Sequence, residues 1–174
     1  PLFTVFAYSI VFGGIAGLST DGVPKPLFYL LGSILWNLFS GIVSDTANTF
    51  TSNVGLFGKV YFPRLVVPIS NAITKLVDFF IQLLLFLCIY IFYRINGHKF
   101  FLESEVFLCF VVVCQFCLLG LGIGIIISSI TTKYRDLTVL VGFGLQIWLY
   151  ASPVIYSISI VPERLISLYY LNPI

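Results

Sequence analysis

"VFLCFVVVCQFCLLGLGIGIIISSI", residues 106–130, contains no charged side chain, and the uncharged stretch continues through Thr132. At about 1.5 Å of rise per residue, roughly 20 residues cross a hydrocarbon layer ~30 Å thick. The segment is therefore long enough and apolar enough to be a membrane-spanning helix, and that reading decides the class of the fold. Inside it, Gly120 and Gly124 stand at the GxxxG spacing that lets a second helix backbone approach closely. This is a packing signal, and it leaves open which helix approaches.

Working outward, the charged residues fall in clusters that leave further uncharged windows at 1–20, 26–44 and 137–162, while 65–93 carries only Lys75 and Asp78. Each window holds one helix, which gives about five spans and an all-α, polytopic membrane helix bundle. The whole composition agrees. Only 9% of the 174 residues are charged and 59% are hydrophobic, with a mean hydropathy of +1.07, against about 25% charged in soluble domains. The net charge of +2 is small and scattered, so nucleic acid is not a partner. The first window lacks a basic flank and a small-residue cleavage site, so it does not read as a signal peptide. The chain has no methionine and starts and stops inside apolar sequence. We expect residues 1–174 to be a single transmembrane domain taken from a longer protein.

Three polar features interrupt the apolar pattern. The second span ends in Ser44, Asp45, Thr46, Asn48 and Thr49, a cluster expected to face protein or water. In the third span Lys75 and Asp78, at i and i+3, share a helical face and can neutralise each other. They serve either as a packing pair or as a charged element in moving substrate. The fifth span runs into "ASPV", where the proline removes a backbone hydrogen bond and ends the helix. After it, "PERLISLYYL" (residues 162–171) reads as a short amphipathic helix, so that a hairpin at the membrane surface is expected.

Between the second and third spans lies "SNVGLFGKVYFPR", residues 52–64, too polar to cross a bilayer. Ser52 or Asn53 can cap a short interfacial helix, with Leu56 and Val60, and Phe57 and Tyr61, as i, i+4 pairs and Pro63 ending it. It is either a plain interfacial turn or a docking element that offers aromatics and cations to a soluble partner. It is not a phosphate-binding loop, because Asn53 stands where the first glycine belongs and Val60 where a hydroxyl would hold magnesium. Orientation is not settled by charge. Lys59, Arg64, Lys133 and Arg135 on one side balance Lys25, Arg94, Lys99 and Arg164 on the other.

Enzymatic chemistry finds no support. There is no HExxH or GxSxG, Glu103 and Glu105 lack a third partner, and His98 is a single loop histidine. Cys114 and Cys117 form a CxxC without a second pair, in lipid-soluble surroundings, and read with Cys88 and Cys109 as small packing residues, so no metal is implied.

Taken in order, "LFGKVYFPRLVVP", "VDFFIQLLL", "TTKYRDL", "LQIWLYASPVIY" and "LYYLNP" resemble the permease subunit of ABC-2 type exporters, in particular the branch exporting O-antigen, capsule and teichoic acid. The resemblance runs over nearly the whole chain. It implies a subunit with a sixth transmembrane helix and an N-terminal interfacial helix beyond the residues present here. It also implies a homodimer, a separate ABC ATP-binding subunit that carries ATP and magnesium, and residence in the bacterial cytoplasmic membrane. No cofactor is expected on this chain. By the same likeness Asn53, Leu56, Phe57, Gly58, Lys59, Val60, Tyr61, Phe62, Pro63 and Arg64 would be the cytoplasmic coupling helix. Lys133, Tyr134, Arg135 and Asp136 would form a second cytoplasmic loop, and Ser152, Pro153, Tyr156, Pro162 and Asn172 an external gate hairpin. The substrate implied is a lipid-linked polysaccharide. Phe3, Phe6, Tyr8, Trp36, Phe39, Trp148 and Tyr150 are candidates for the aromatic lining of its path. An ABC-2 exporter of a drug, lipid or other small molecule is the alternative within the class. A channel or proton-coupled carrier using Lys75 and Asp78 is the alternative outside it.

Overall fold

The computed structural model describes residues 2–15, 17, 23–53, 55, 63–96, 106–134, 136–154, 156 and 172. Every regular element among them is helical. Helix α1 (Leu2–Tyr8) continues into a π-helical stretch (Ser9–Ile15); α2 is Lys25–Ala47, α3 Thr49–Ser52, α4 Val66–Ile95, α5 Val106–Thr131 and α6 Leu137–Ala151.

Helix boundaries follow local chemistry. Pro24, with extended backbone, precedes α2, and Pro26 sits in its first turn, where no intrahelical donor is lost. At the other end Asn48 donates from its side chain to the Ser44 carbonyl at 2.9 Å, and Thr49 Oγ1 to the Asp45 carbonyl at 3.0 Å, so the polar cluster closes the last turn of α2. In α4, Pro68 is tolerated because it too falls in the first turn, and Asn96 caps the far end by donating to the Phe92 carbonyl at 3.0 Å. Helix α6 stops at Ala151 because Ser152 precedes a proline and is driven to extended backbone, φ −104° and ψ 150°.

Among the described residues three helices, Lys25–Ala47, Val66–Ile95 and Leu108–Thr131, are long and apolar enough to cross a membrane. The first and fifth windows hold shorter apolar helices, Phe3–Gly14 and Leu137–Ala151. At 15 residues α6 rises about 22 Å, short of the ~30 Å core. The helix of the fifth window thus ends at its proline, where the sequence places the break.

Helix α2 is the hub of the bundle and packs against α1, α4, α5 and α6. Of its most apolar window 56% is buried, against 17% for α4 and for α5, whose outer faces present residues such as Phe80, Leu84, Phe110 and Leu118. In a bilayer those faces meet lipid, so helix association rests on close packing, not on escape from water. The glycine pair of α5 supplies that packing. A Cβ placed on Gly120 would sit 3.0 Å from Ile42 Cγ2, and one on Gly124 would sit 2.5 Å from Thr46 Cβ. Gly122, between them, has nothing within 4 Å. Beyond the glycines Thr131 Oγ1 donates to the Ala47 carbonyl of α2 at 2.9 Å, tying the two helix ends together.

Gly124→Leu should lower the unfolding free energy of the purified protein by about 1–3 kcal/mol through overpacking against Thr46. Gly122→Leu should change it by less than about 0.5 kcal/mol. Thermal unfolding in the same detergent checks both.

Candidate functional site

Two loops named from the sequence lie at one end of the bundle. Asn53 closes α3, donating from Nδ2 to the Thr49 carbonyl at 2.9 Å, and Pro63 offers its carbonyl to the Val66 amide at 3.0 Å where α4 begins. Pro63 and Arg64 are exposed. Leu56, Phe57, Gly58, Lys59, Val60, Tyr61 and Phe62 lie outside the described residues. The turn after α5 reaches the same end, because Thr131 is bonded to Ala47 and α3 touches α5. There the Lys133 ammonium stands 5.3 Å from the centre of the exposed Tyr134 ring, a cation–π distance, and Asp136 precedes α6. Arg135 is outside the described residues.

The intramembrane charges are arranged differently from the i, i+3 expectation. Lys75 Nζ is 3.2 Å from Asp45 Oδ2 on α2, and this is the ion pair found among the described residues. Gly41 is the reason. A Cβ there would come within 3.1 Å of Lys75 Cδ, so the absence of a side chain makes a notch in which the lysine stem lies, directing its ammonium one turn along α2 to Asp45. Asp78 lines the same space, with no cation within 4 Å among the described residues. Around these charges is a cleft of about 490 Å³ lined by Asn37, Leu38, Ser40, Gly41, Ser44, Asp45, Lys75, Asp78, Phe79, Gln82 and Leu145. Gln82 Oε1 is buried beside it with no hydrogen-bond partner. The cleft was partly legible: Asn37, Gly41, Ser44 and Asp45 recur at helical spacing on α2, as do Lys75, Asp78 and Gln82 on α4. What spacing omits is that the two faces meet.

The candidate path aromatics separate into two groups. Phe39 is fully buried, 5.8 Å from the Trp36 ring, 5.3 Å from Trp148 and 6.0 Å from Phe116, so it cements α2 to α5 and α6. Phe39 and the buried Trp36 are core residues of this chain. Phe3, Phe6 and Tyr150 are exposed, and Tyr8 is half-buried with its ring edge-on to Phe12 and Tyr29. These four remain available to a path.

At the opposite end of α6 a polar chain forms that the sequence did not signal. Trp148 Nε1 donates to Asn172 Oδ1 at 3.2 Å, and Asn172 Nδ2 donates to the buried Ser152 Oγ at 2.9 Å. Asn172 is thereby joined to the end of α6, 20 to 24 residues earlier in the chain. Close by, Pro153 leads to Val154, whose carbonyl oxygen would lie 2.8 Å from a Cβ on Gly32, so this corner also rests directly on α2. Tyr156 donates to the Tyr150 carbonyl at 3.3 Å. Pro162 lies outside the described residues. Among the described residues no three His, Cys, Asp or Glu side chains converge as a metal site would require.

These features define an α-helical membrane domain with polar elements at both ends and a charged cleft between its two most polar helix faces. A family model described as ABC-2 type transporter matches residues 1–174, and the chain belongs to that family. It is 24% identical over 148 residues to the O-antigen export system permease protein RfbA of Klebsiella pneumoniae, covering 85% of this chain and 56% of that protein. To the protein of the same name from Myxococcus xanthus it is 31% identical over 139 residues, covering 80% of this chain and 52% of the relative. The chain thus spans about half the length of the curated relatives it matches.

Asn172→Ala should destabilise the protein by about 1–3 kcal/mol, because the Trp148 indole and the buried Ser152 hydroxyl both lose a partner. Tyr156→Phe, which removes one exposed bond, should cost less than about 0.5 kcal/mol. Unfolding midpoints followed by tryptophan fluorescence distinguish them.

Proposed function

We propose that the chain is the membrane-spanning permease subunit of an ATP-driven exporter that moves lipid-linked polysaccharide out of the cytoplasm across the bacterial cytoplasmic membrane. The observation that carries this reading is the similarity to O-antigen export permeases over four-fifths or more of the chain, within a family match that covers all of it. A separate ABC ATP-binding subunit would supply ATP and magnesium, and two permease copies would enclose the path.

The geometry supports a division of labour. The segment from Asn53 to Arg64 joins the end of α3 to the start of α4, so a push on it loads α2 and α4 together. Because α2 is also the hub against which α1, α5 and α6 pack, such a push moves the protomer as a body, the kind of rigid-body rearrangement that opens a path between two halves. The exposed aromatics Phe3, Phe6 and Tyr150 offer faces for sugar rings. The corner held by Asn172 sits at the end where a gate toward the outside would be.

In the assembled transporter, Phe57→Ala with Tyr61→Ala should leave membrane insertion unchanged, abolish co-purification of the ATP-binding subunit and remove polysaccharide from the cell surface. Retention of both the subunit and surface polymer would refute the assignment.

A further inference from the structure

Among the described residues, Lys75 shares a cleft of the bundle with two carboxylates of different helices. Asp45, in the last turn of α2, holds it at 3.2 Å; Asp78, one turn farther along α4 than Lys75 itself, opens into the same cleft. The lysine stem lies in the Gly41 notch, so the contact between α2 and α4 at this level is made by Lys75 and not by an apolar interlock. Its side chain is 28% exposed and that of Asp45 42%, so both groups are partly open to the cleft. Asp78, at i+3 on the same helical face, is the neighbouring carboxylate along α4.

We propose that Lys75 is a positioning residue for energy coupling. Paired with Asp45, it clamps α4 to the last turn of α2. When the helices part, it passes to Asp78 on its own helix. One carboxylate is paired and the other left to the polar cleft in either arrangement, so the exchange keeps the charge of the site constant. That is the condition for a joint that opens and closes in every cycle, since an ammonium without a counter-charge at this depth is strongly disfavoured. The inference rests on the export reading above and deepens it.

The test uses the intact transporter with its ATP-binding subunit in proteoliposomes, in a background with the four cysteines replaced by serine, and reads glycan exported per ATP hydrolysed. Asp45→Asn and Lys75→Gln should each lower that ratio at least fivefold while ATP hydrolysis continues. The charge exchange Asp45→Lys with Lys75→Asp should restore it to within about twofold, as expected for a coupled pair. Asp78→Asn should slow export and hydrolysis in parallel with the ratio unchanged. An unaltered ratio in the single variants, or an exchange variant that folds but is not rescued, overturns the proposal. Spin labels at Thr51 and Ile69 give a readout independent of export. The α3–α4 distance distribution should be narrow in the unsubstituted and charge-exchanged proteins and broader in Lys75→Gln. An unchanged distribution in Lys75→Gln rejects the clamp, whereas failure of the parent protein to move glycan, with the distance result as expected, rejects only the export reading.

Discussion

Everything in this bundle depends on the close approach of α2 and α5. In lipid, apolar side chains gain little by leaving their solvent, so two helices stay together only where their surfaces interlock. Gly120 and Gly124 let the α5 backbone settle against Phe39, Ile42, Val43 and Thr46, at distances that no larger residue could share. That contact buries one side of α2. The aromatic cluster of Phe39, Trp36, Phe116 and Trp148 then recruits α6, and Val154 against Gly32 seats the corner beyond it.

A different logic governs the α2–α4 contact. Where α2 meets α5 the interface is dense and apolar; where it meets α4 near Gly41 it is polar, hollow and bridged by an ion pair. The bundle thus has one tight seam and one looser seam on the same central helix. The tighter seam transmits whatever α2 does to α5 and, through the aromatic cluster, to α6. A permease that must deform in a defined direction needs this asymmetry, because packed interfaces move as units while hydrated ones part.

Much of this was visible in one dimension. The windows at 26–44, 65–93 and 106–132 correspond to α2, α4 and α5 within a few residues, because bilayer thickness dictates helix length and charge marks its limits. The proline of "ASPV" ends α6 through the steric restriction it places on Ser152, which is local in sequence. The Gly120 and Gly124 spacing announced a close contact. By contrast, Lys75 and Asp78 were expected to neutralise each other, since spacing reports neighbours on the same helix, and the burial of Trp36 and Phe39 was not legible because composition does not distinguish a core ring from an exposed one.

The sequence by itself therefore determined the extents of the three long apolar helices, the membrane class, the absence of recognisable hydrolytic motifs and the resemblance that leads to export. Those properties depend on hydropathy, on backbone sterics and on ordered motifs, all of which are carried by residues near one another in the chain. Tertiary structure alone decided that Gly120 and Gly124 of α5 face α2, that Gly41 steers Lys75 to Asp45, and that Asn172 joins Trp148 to Ser152. Each of those is a contact between residues distant in sequence, and in a membrane, where nearly every helix face is apolar, only the shape of the fitted surfaces determines which face meets which.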